Sequence, residues 1–305
     1  MLPTLTLPQF DQNKNKRQQQ LEQMRIHYAF SLTYDGQIAT INQLPLSEKP
    51  GAYYQFTALS NVIGLLPSLP GVLWKTLKHG LLQIPFKQVE DYNFFGLTPF
   101  PEPNLCTDLW NDKYLTHQCV AGANPVMIEG VNAINPLPGY FKVEQATLSI
   151  SQEEMARALN EERLYMVNLA MLKTLQSHPG TVDGHAKYAT APIALYFLQD
   201  DGHLRPLCIQ LDATLDTSEE NPIITPADGE KWKLARTCLM AADGAVHDLW
   251  THAVQIHYVM EAIIMVTYRQ LSKNHPLLAL LDPHLQYTLS VNIHPLYERG
   301  SDGKI

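Results

Sequence analysis

The stretch VHDLWTHAVQIHYVMEAIIMVTYRQL, from Val246 to Leu271, is the most informative part of this sequence. It contains no proline and no glycine and is rich in apolar residues, so it predicts one uninterrupted helix. Three histidines lie on it and two follow it, in the pattern H-x4-H-x4-H-x17-H-x8-H: His247, His252, His257, His275 and His284. Histidine is the commonest metal ligand among side chains, and the cysteines show no zinc-finger spacing. The cluster therefore points to a metal site.

The interval of five residues between the histidines constrains the helix. In a regular α-helix, positions five apart diverge by roughly 140°, so their side chains cannot both bind one ion. A π-type turn brings such positions together, and π-bulges are frequent at functional sites. The spacing predicts a widened turn around His252 to His257. Spacing alone leaves a second interpretation open, in which each histidine is a hydrogen-bonded core residue, and His275 and His284, next to prolines, are turn or helix-cap residues.

Composition and charge narrow the function classes. The 305-residue chain is 45% apolar and 17% charged, as in a globular protein. Its net charge of −8 and only 22 basic residues argue against nucleic-acid binding. The apolar window 62–82 is interrupted by prolines and lysines, so no membrane-spanning helix is expected. The N-terminus has no signal pattern and the cysteines show no CxxC spacing, which together predict a cytoplasmic protein with free thiols.

Periodicity predicts a mainly α fold with a small β-hairpin or sheet. Ser151 can cap a helix that runs to Leu175, with Glu154 as the capping-box acid. The predicted strands are Phe141–Leu148 and a hairpin of Ala191–Phe197 with Leu204–Leu211 around an Asp-Gly turn. The other predicted helices are Lys14–Phe30, two short apolar helices in Asn61–Ile84, Asp228–Leu271, and a short helix after His275 that is broken at Pro283 and followed by another helical start.

Several separate motifs resemble the lipoxygenases, the non-haem iron dioxygenases of polyunsaturated fatty acids. The segment from Trp232 to Asn292 resembles their central-helix region nearly end to end. DKYLTHQCVAGANP, from Asp112 to Pro125, resembles the family's D-x-x-F-x-x-Q-x-x-x-G-x-N-P stretch. ERLYMVN from Glu162 resembles a helical R-L-[FY] segment, and APIALYF with CIQL resembles a buried hairpin. The resemblance extends over residues 100–292 and implies a lipoxygenase-like helical catalytic domain, present in part.

The resemblance also implies roles for individual residues. His252 and His257 match the iron-binding histidines. His247, Asp248 and Glu261 match residues that support the ligands, as do His275 and His284. Val291 and Pro295 match positions along the substrate and oxygen channel. Asp248 stands where relatives carry Gln, Pro295 where they carry Ala or Gly, and Asn168 where an acid is common, so the position of oxygenation is left open. The family's remaining ligands lie further downstream, and terminal Ile305 is interpreted as a coincidence with the family's terminal Ile ligand.

The implied function is dioxygenation of a polyunsaturated fatty acid with O2 by a non-haem iron centre that is incomplete in this chain. The alternative is a non-catalytic remnant, or one half of a split enzyme that needs a partner chain. A zinc hydrolase is disfavoured because no HExxH, HxxEH or serine-elbow motif occurs. We expect one domain overall, with residues 1–96 as a helical and irregular lead-in and residues 97–305 as the N-terminal part of the catalytic domain.

Overall fold

A computed structural model of the chain describes residues 4–33, 38–49, 51, 111–176, 181–182, 185–186, 188–213 and 221–292. Two compact units are present. The first combines Met1–Gly64 with Trp250–Ile305, and the second is Leu65–Leu249. The expected boundary between residues 96 and 97, the short helices of Asn61–Ile84, Pro295 and Ile305 lie outside the described residues, so the predictions made for them stay predictions.

Helices predominate in the described residues, as predicted. The α-helices are α1 (Lys14–His27), α2 (Asp112–Ala121), α3 (Gln152–Asn160), α4 (Lys173–Gln176), α5 (Glu230–Val246), α6 (Val259–Gln270) and α7 (Pro276–Leu285), and a π-helix spans His247–Tyr258. The strands are β1 (Phe30–Thr33), β2 (Ile38–Ile41), β3 (Ile128–Gly130), β4 (Leu164–Asn168), β5 (Thr181–Val182), β6 (His185–Ala186), β7 (Ile193–Leu198), β8 (Leu204–Gln210) and β9 (Ile223–Ile224). Among these helices, none is long and apolar enough to cross a membrane.

The second unit is built on an antiparallel sheet whose described strands follow the order β3-β4-β7-β8-β9. Alternate residues of each strand face opposite sides of a sheet. On one side, Val167, Tyr196 and Ile209 pack with residues of α2 and α5. On the other side, Met166 and Leu195 pack with residues of α3 and the loops before it. Both faces are therefore covered, which explains why β7 (IALYFL) and the middle of β8 (Leu207–Ile209) are continuous apolar runs rather than alternating ones.

The predicted hairpin is confirmed. β7 and β8 pair from Ile193 with Gln210 to Leu198 with Leu204, and Gly202 adopts a φ of 80° in the turn. Glycine reaches this left-handed conformation without the steric penalty of a Cβ atom.

The predicted helix from Ser151 to Leu175 is wrong beyond its first third. Ser151 caps it as expected, because its side chain accepts from the backbone N–H of Glu154 at 3.1 Å. The helix ends at Asn160, Glu162 turns the chain at a φ of 55°, and Leu164–Asn168 forms β4 between β3 and β7. The helical structure that the family resemblance implied for the segment beginning at Glu162 is also wrong. Leu164–Asn168 pairs with a strand on each side, and this pairing outweighs a local helical pattern. The expected strand Phe141–Leu148 is likewise wrong, since Val143–Gln145 is a 3-10 turn.

The first unit packs α1, the β1–β2 hairpin, α6 and α7 around one apolar cluster that includes Tyr28, Ile264 and Leu285. Helix α1 confirms the predicted helix up to His27, while Phe30 already belongs to β1. The sequence pattern did not predict the hairpin, whose strands are four residues long.

The predicted break at Pro283 is wrong. Helix α7 continues to Leu285, and the chain turns at Tyr287, which has a φ of 66°. A proline removes one backbone donor. Here the loss falls near the helix end, and Leu278 and Leu285 are both buried beside it, so packing retains the helix.

Candidate metal centre

The predicted widened turn is confirmed. Helical structure runs without a break from Glu230 to Gln270, and its middle part, His247–Tyr258, is a π-helix. In π geometry each turn holds an additional residue, so side chains five positions apart lie on the same side. The sequence spacing and the backbone thus agree.

The side chains of His252 and His257 meet. Their Nε2 atoms are 3.0 Å apart, and the two rings stand at 90° with centroids separated by 4.5 Å. His252 is exposed and His257 is half-buried. Both residues belong to the first unit. The two ring nitrogens therefore lie at hydrogen-bonding distance from each other, on the exposed side of His252.

Asn292 holds the ring of His257 from behind. Its Oδ1 atom lies 2.6 Å from Nδ1 of His257, and its Nδ2 atom donates to the backbone carbonyl of His257 at 3.1 Å. Asn292 is buried, in the helical residues 288–292. Sequence reasoning assigned no role to this residue. Its only signal was a polar side chain at the end of the apolar run LSVN.

Glu261 supports Asn292 and is almost completely buried at 1% exposure. One carboxylate oxygen accepts from Nδ2 of Asn292 at 2.8 Å, and the other accepts from the backbone N–H of Ile41 at 2.7 Å. A buried carboxylate is tolerated when such donors satisfy it. Glu261 therefore contacts Asn292, and Asn292 in turn contacts His257.

The arrangement of His252 and His257 fits a single metal ion. Two imidazole nitrogens that bind one ion at about 2.0–2.1 Å, with a right angle between the bonds, lie about 3.0 Å apart. The observed separation of the Nε2 atoms has this value. Imidazole is a suitable ligand for iron, zinc, copper and nickel. A metal ligand that donates its other ring N–H to an oxygen acceptor is also the usual arrangement, and Asn292 supplies that acceptor.

His247 and Asp248 belong to the second unit. His247 is half-buried and Asp248 is exposed. One helical turn before His247, Asp243 accepts from Nδ2 of Asn124 at 3.0 Å. Burial raises the pKa of Asp243, while the hydrogen bond from Asn124 counteracts the rise. The predicted supporting roles of His247 and Asp248 stay predictions.

The residues of the motif from Asp112 to Pro125 connect helices α2 and α5. The carboxylate of Asp112 accepts from Nε1 of Trp232 at 3.0 Å and pairs with Arg236 at 3.3 Å, which joins the start of α2 to α5. Asn124 reaches the same helix further along, at Asp243. Gly122 ends α2 where a Cβ atom would meet the carbonyl oxygen of Gln118 at 2.4 Å. The motif therefore fixes α2 against the helix that leads into the π-helix.

Of the other predicted residues that the structure describes, some make hydrogen bonds of their own and some are exposed. His275 is a helix cap, as predicted, because its Nδ1 atom accepts from the N–H of Leu277 at 3.1 Å. His284 is exposed in the last turn of α7. Val291 is exposed beside Asn292, and Pro295 lies outside the described residues. Asn168 makes hydrogen bonds with the hydroxyl of Tyr140 and caps the following turn at Ala170. The described thiols of Cys119, Cys208 and Cys238 are free.

Comparison with known proteins agrees with this geometry. The family model "Lipoxygenase" matches residues 7–295. The mouse (Mus musculus) polyunsaturated fatty acid lipoxygenase ALOX15 is 27% identical over 308 residues, which is 96% of this chain and 44% of the mouse protein. A crystal structure of a LOX deletion variant has a TM-score of 0.77 at 25% identity and covers 95% of this chain and 44% of its own. A structure titled "Manganese Lipoxygenase", at 16% identity and a TM-score of 0.66, shares the fold and covers 95% of this chain and 51% of its own.

These matches cover nearly the whole chain but about half or less of each relative. The mainly α architecture, the π-helix and the paired imidazoles lie within the matched residues. With a family model that spans residues 7–295, the chain belongs to the lipoxygenase family.

Proposed function

We propose that this chain supplies two histidine ligands, His252 and His257, to a non-haem iron centre that serves the dioxygenation of polyunsaturated fatty acids to hydroperoxides. The observation that carries the proposal is the 3.0 Å separation of the two Nε2 atoms on a π-helix. The substrate class follows from the name of the mouse relative, a polyunsaturated fatty acid lipoxygenase.

The residues of this chain hold and orient the reactive centre. Nε2 of His252 and Nε2 of His257 present lone pairs to the ion, and Asn292 and Glu261 keep the second ring in place. When bound, iron supplies the one-electron chemistry by which a bis-allylic C–H bond is broken and O2 adds to the carbon radical. We propose that Val291, which is 46% exposed next to Asn292, contacts an apolar substrate, and we keep Val291 and Pro295 as channel residues in this proposal.

Iron suits this ligand pair and this reaction better than zinc or manganese does. The reaction needs a metal with two accessible redox states, which excludes zinc. Imidazole ligands favour iron, whereas manganese is better matched by carboxylate, carbonyl and water oxygens. We therefore propose iron, although one structural neighbour carries manganese in its title.

We propose that further ligands come from the portion of the relatives that this chain does not cover, supplied either as a continuation of the polypeptide or as a partner chain. The matched part amounts to 44% of the mouse relative. Four residues at helical spacing form an exposed apolar face along the π-helix and α6, with exposures of 49–57%: Ile256, Val259, Ile263 and Val266. A contiguous exposed apolar surface of this kind marks an interaction site. We propose that the rest of a lipoxygenase catalytic domain covers this face.

Iron binding by the purified chain tests the proposal. Ferrous iron would be added anaerobically, the protein separated from free ion, and iron measured per chain. His252→Ala and His257→Ala should each lower the affinity by more than about 100-fold, because changes that only support a ligand already cost about 10- to 100-fold. His27→Ala is the matched control, since His27 is an exposed histidine of the same unit with no predicted role at the metal site.

Equal iron affinity in His252→Ala, His257→Ala and the control would contradict the assignment. His247→Ala should retain binding, because His247 is proposed to support rather than to ligate. Catalysis would be measured separately, as oxygen uptake with linoleate after the chain is combined with the remaining portion of a related catalytic domain.

A further inference from the structure

We propose that Asn292 is a positioning residue that fixes His257 as the tautomer with its proton on Nδ1, and that Glu261 fixes Asn292. The inference deepens the proposed function, because it concerns which nitrogen of His257 is available to a metal. It is argued from four hydrogen bonds within the first unit: two between Asn292 and His257, one between Asn292 and Glu261, and one between Glu261 and Ile41.

The first step is the orientation of the Asn292 amide. An asparagine amide has one end that only donates and one end that only accepts. The Nδ2 end faces Oε2 of Glu261 at 2.8 Å and the carbonyl oxygen of His257 at 3.1 Å. A backbone carbonyl can only accept, so this contact alone selects the donor end of the amide. The flipped amide would place its oxygen against two other oxygens.

The second step is the proton on His257. With Nδ2 committed, Oδ1 of Asn292 faces Nδ1 of His257 at 2.6 Å. Oδ1 can only accept, so Nδ1 must carry the proton. In a neutral imidazole the other nitrogen is then a bare acceptor. That nitrogen, Nε2, is the one that faces His252 at 3.0 Å. The arrangement leaves a lone pair where the metal would bind, before any metal arrives.

The third step is what prevents the amide from turning. Glu261 is 1% exposed and Asn292 is 3% exposed, so water cannot easily substitute for a lost partner. Oε1 of Glu261 accepts from the N–H of Ile41 at 2.7 Å, which leaves Oε2 for Asn292. Ile41 is the last residue of β2, so the hairpin holds the carboxylate. The relay therefore runs from the backbone of Ile41 through Glu261 and Asn292 to His257.

The relay predicts that two substitutions at different points have the same effect on His257. Asn292→Leu removes the acceptor but keeps similar bulk, so His257 should become a mixture of tautomers. Glu261→Gln keeps the shape of the side chain. In this variant the N–H of Ile41 still needs an acceptor, so the oxygen of the new side-chain amide would stay at Ile41. The NH2 group of that amide would then face Nδ2 of Asn292, and two donors would oppose each other. The Asn292 amide should then lose its fixed orientation, and His257 its fixed tautomer.

The test is nitrogen NMR of the metal-free, 15N-histidine-labelled chain, at a pH well above the ordinary histidine pKa of about 6.5. His257→Gln identifies the signals of His257 among the 12 histidines. In the unmodified chain His257 should be the Nδ1–H tautomer alone, and both variants should show a mixture. Ser290→Ala is the matched control, a buried polar residue of the same helical segment, and should leave the spectrum unchanged.

Iron affinity is the second readout. Asn292→Leu and Glu261→Gln should bind ferrous iron about 10- to 100-fold more weakly than Ser290→Ala, the range typical of residues that orient a ligand. An Nε2–H tautomer in the unmodified chain, or an unchanged tautomer in both variants, would overturn the inference. Because the NMR experiment uses no metal, it remains decisive even if the chain binds no iron. In that case the proposed function fails, and the NMR spectra alone decide the tautomer assignment.

Discussion

Gly122 offers a sharp test of how the motif between Asp112 and Pro125 works. It ends α2, and its N–H donates to the carbonyl of Gln118 at 3.0 Å. A Cβ atom at this position would lie 2.4 Å from that carbonyl oxygen and 2.6 Å from Oε1 of Gln118. The side-chain oxygen can move away, but the carbonyl belongs to the helix itself. Gly122→Ala must therefore break the terminal hydrogen bond or displace the end of α2.

The magnitude follows from these distances. Forcing additional atoms into a packed position typically costs about 1–3 kcal/mol. Loss of one net hydrogen bond adds about 0.5–1.5 kcal/mol. Against this, replacement of glycine by alanine stiffens the unfolded chain and stabilises by about 0.4–1 kcal/mol. We expect Gly122→Ala to lower the free energy of unfolding by about 1–3 kcal/mol.

The assay is urea unfolding of the purified chain, followed by the fluorescence of tryptophans such as buried Trp232 in the same unit. Gly139→Ala is the matched control, since a Cβ atom there would meet nothing within 4 Å. The control should be neutral or slightly stabilised. If Gly122→Ala were as stable as Gly139→Ala, the close approach of residue 122 to Gln118 would not be the reason for a glycine at that position.

Three further predictions follow from the contacts and the coverage of the relatives. Hydrogen bonds from the N–H of Asn13, Arg17 and Asn274 lower the pKa of Asp11 to about 2, so this carboxylate contributes stability above about pH 3.9 that is lost as the pH falls through 2. Acid unfolding of Asp11→Asn should show a smaller loss over that range, and an identical profile would count against the assignment. Burial raises the pKa of the Cys119 thiol from 9.0 to about 11, which leaves about 100-fold less thiolate. Iodoacetamide should therefore label Cys119 at least that much more slowly in the native than in the urea-unfolded chain, as measured by mass spectrometry. Finally, iron-loaded 305-residue chain alone should take up little oxygen with linoleate, and turnover equal to that of a full-length relative would show that other residues complete the site.

The histidine pair was predictable because its information is local. In regular α geometry an interval of five residues cannot bring both imidazoles to one ion, so the spacing predicted a widened turn around His252 to His257, and the structure has a π-helix over His247–Tyr258. The β7–β8 hairpin was predictable for a similar reason, because two apolar runs flank an Asp-Gly turn.

The strand Leu164–Asn168 was not predictable in the same way. It follows directly on a well-capped helix, and its β structure comes from pairing with Ile128–Gly130 and Ile193–Leu198, whose paired residues lie 25 to 39 residues away in the chain. Such pairing routinely overrides local propensity. Asn292 was missed for a related reason. Its partner His257 is 35 residues earlier, and no periodicity connects them.

The long π-helix and Asn292, which the sequence analysis did not identify, are connected in the structure. π geometry occurs mostly as a single turn, so a twelve-residue π segment must be stabilised by its surroundings. The carbonyl of His257 lies near the point where the π-helix gives way to α6, and it accepts from Nδ2 of Asn292. The same amide holds the ring of His257 through Oδ1. One side chain thus satisfies the backbone near the junction and orients the imidazole that the widened turn brings to His252. The backbone irregularity and the orientation of the ligand are stabilised together, and a substitution at Asn292 should disturb both.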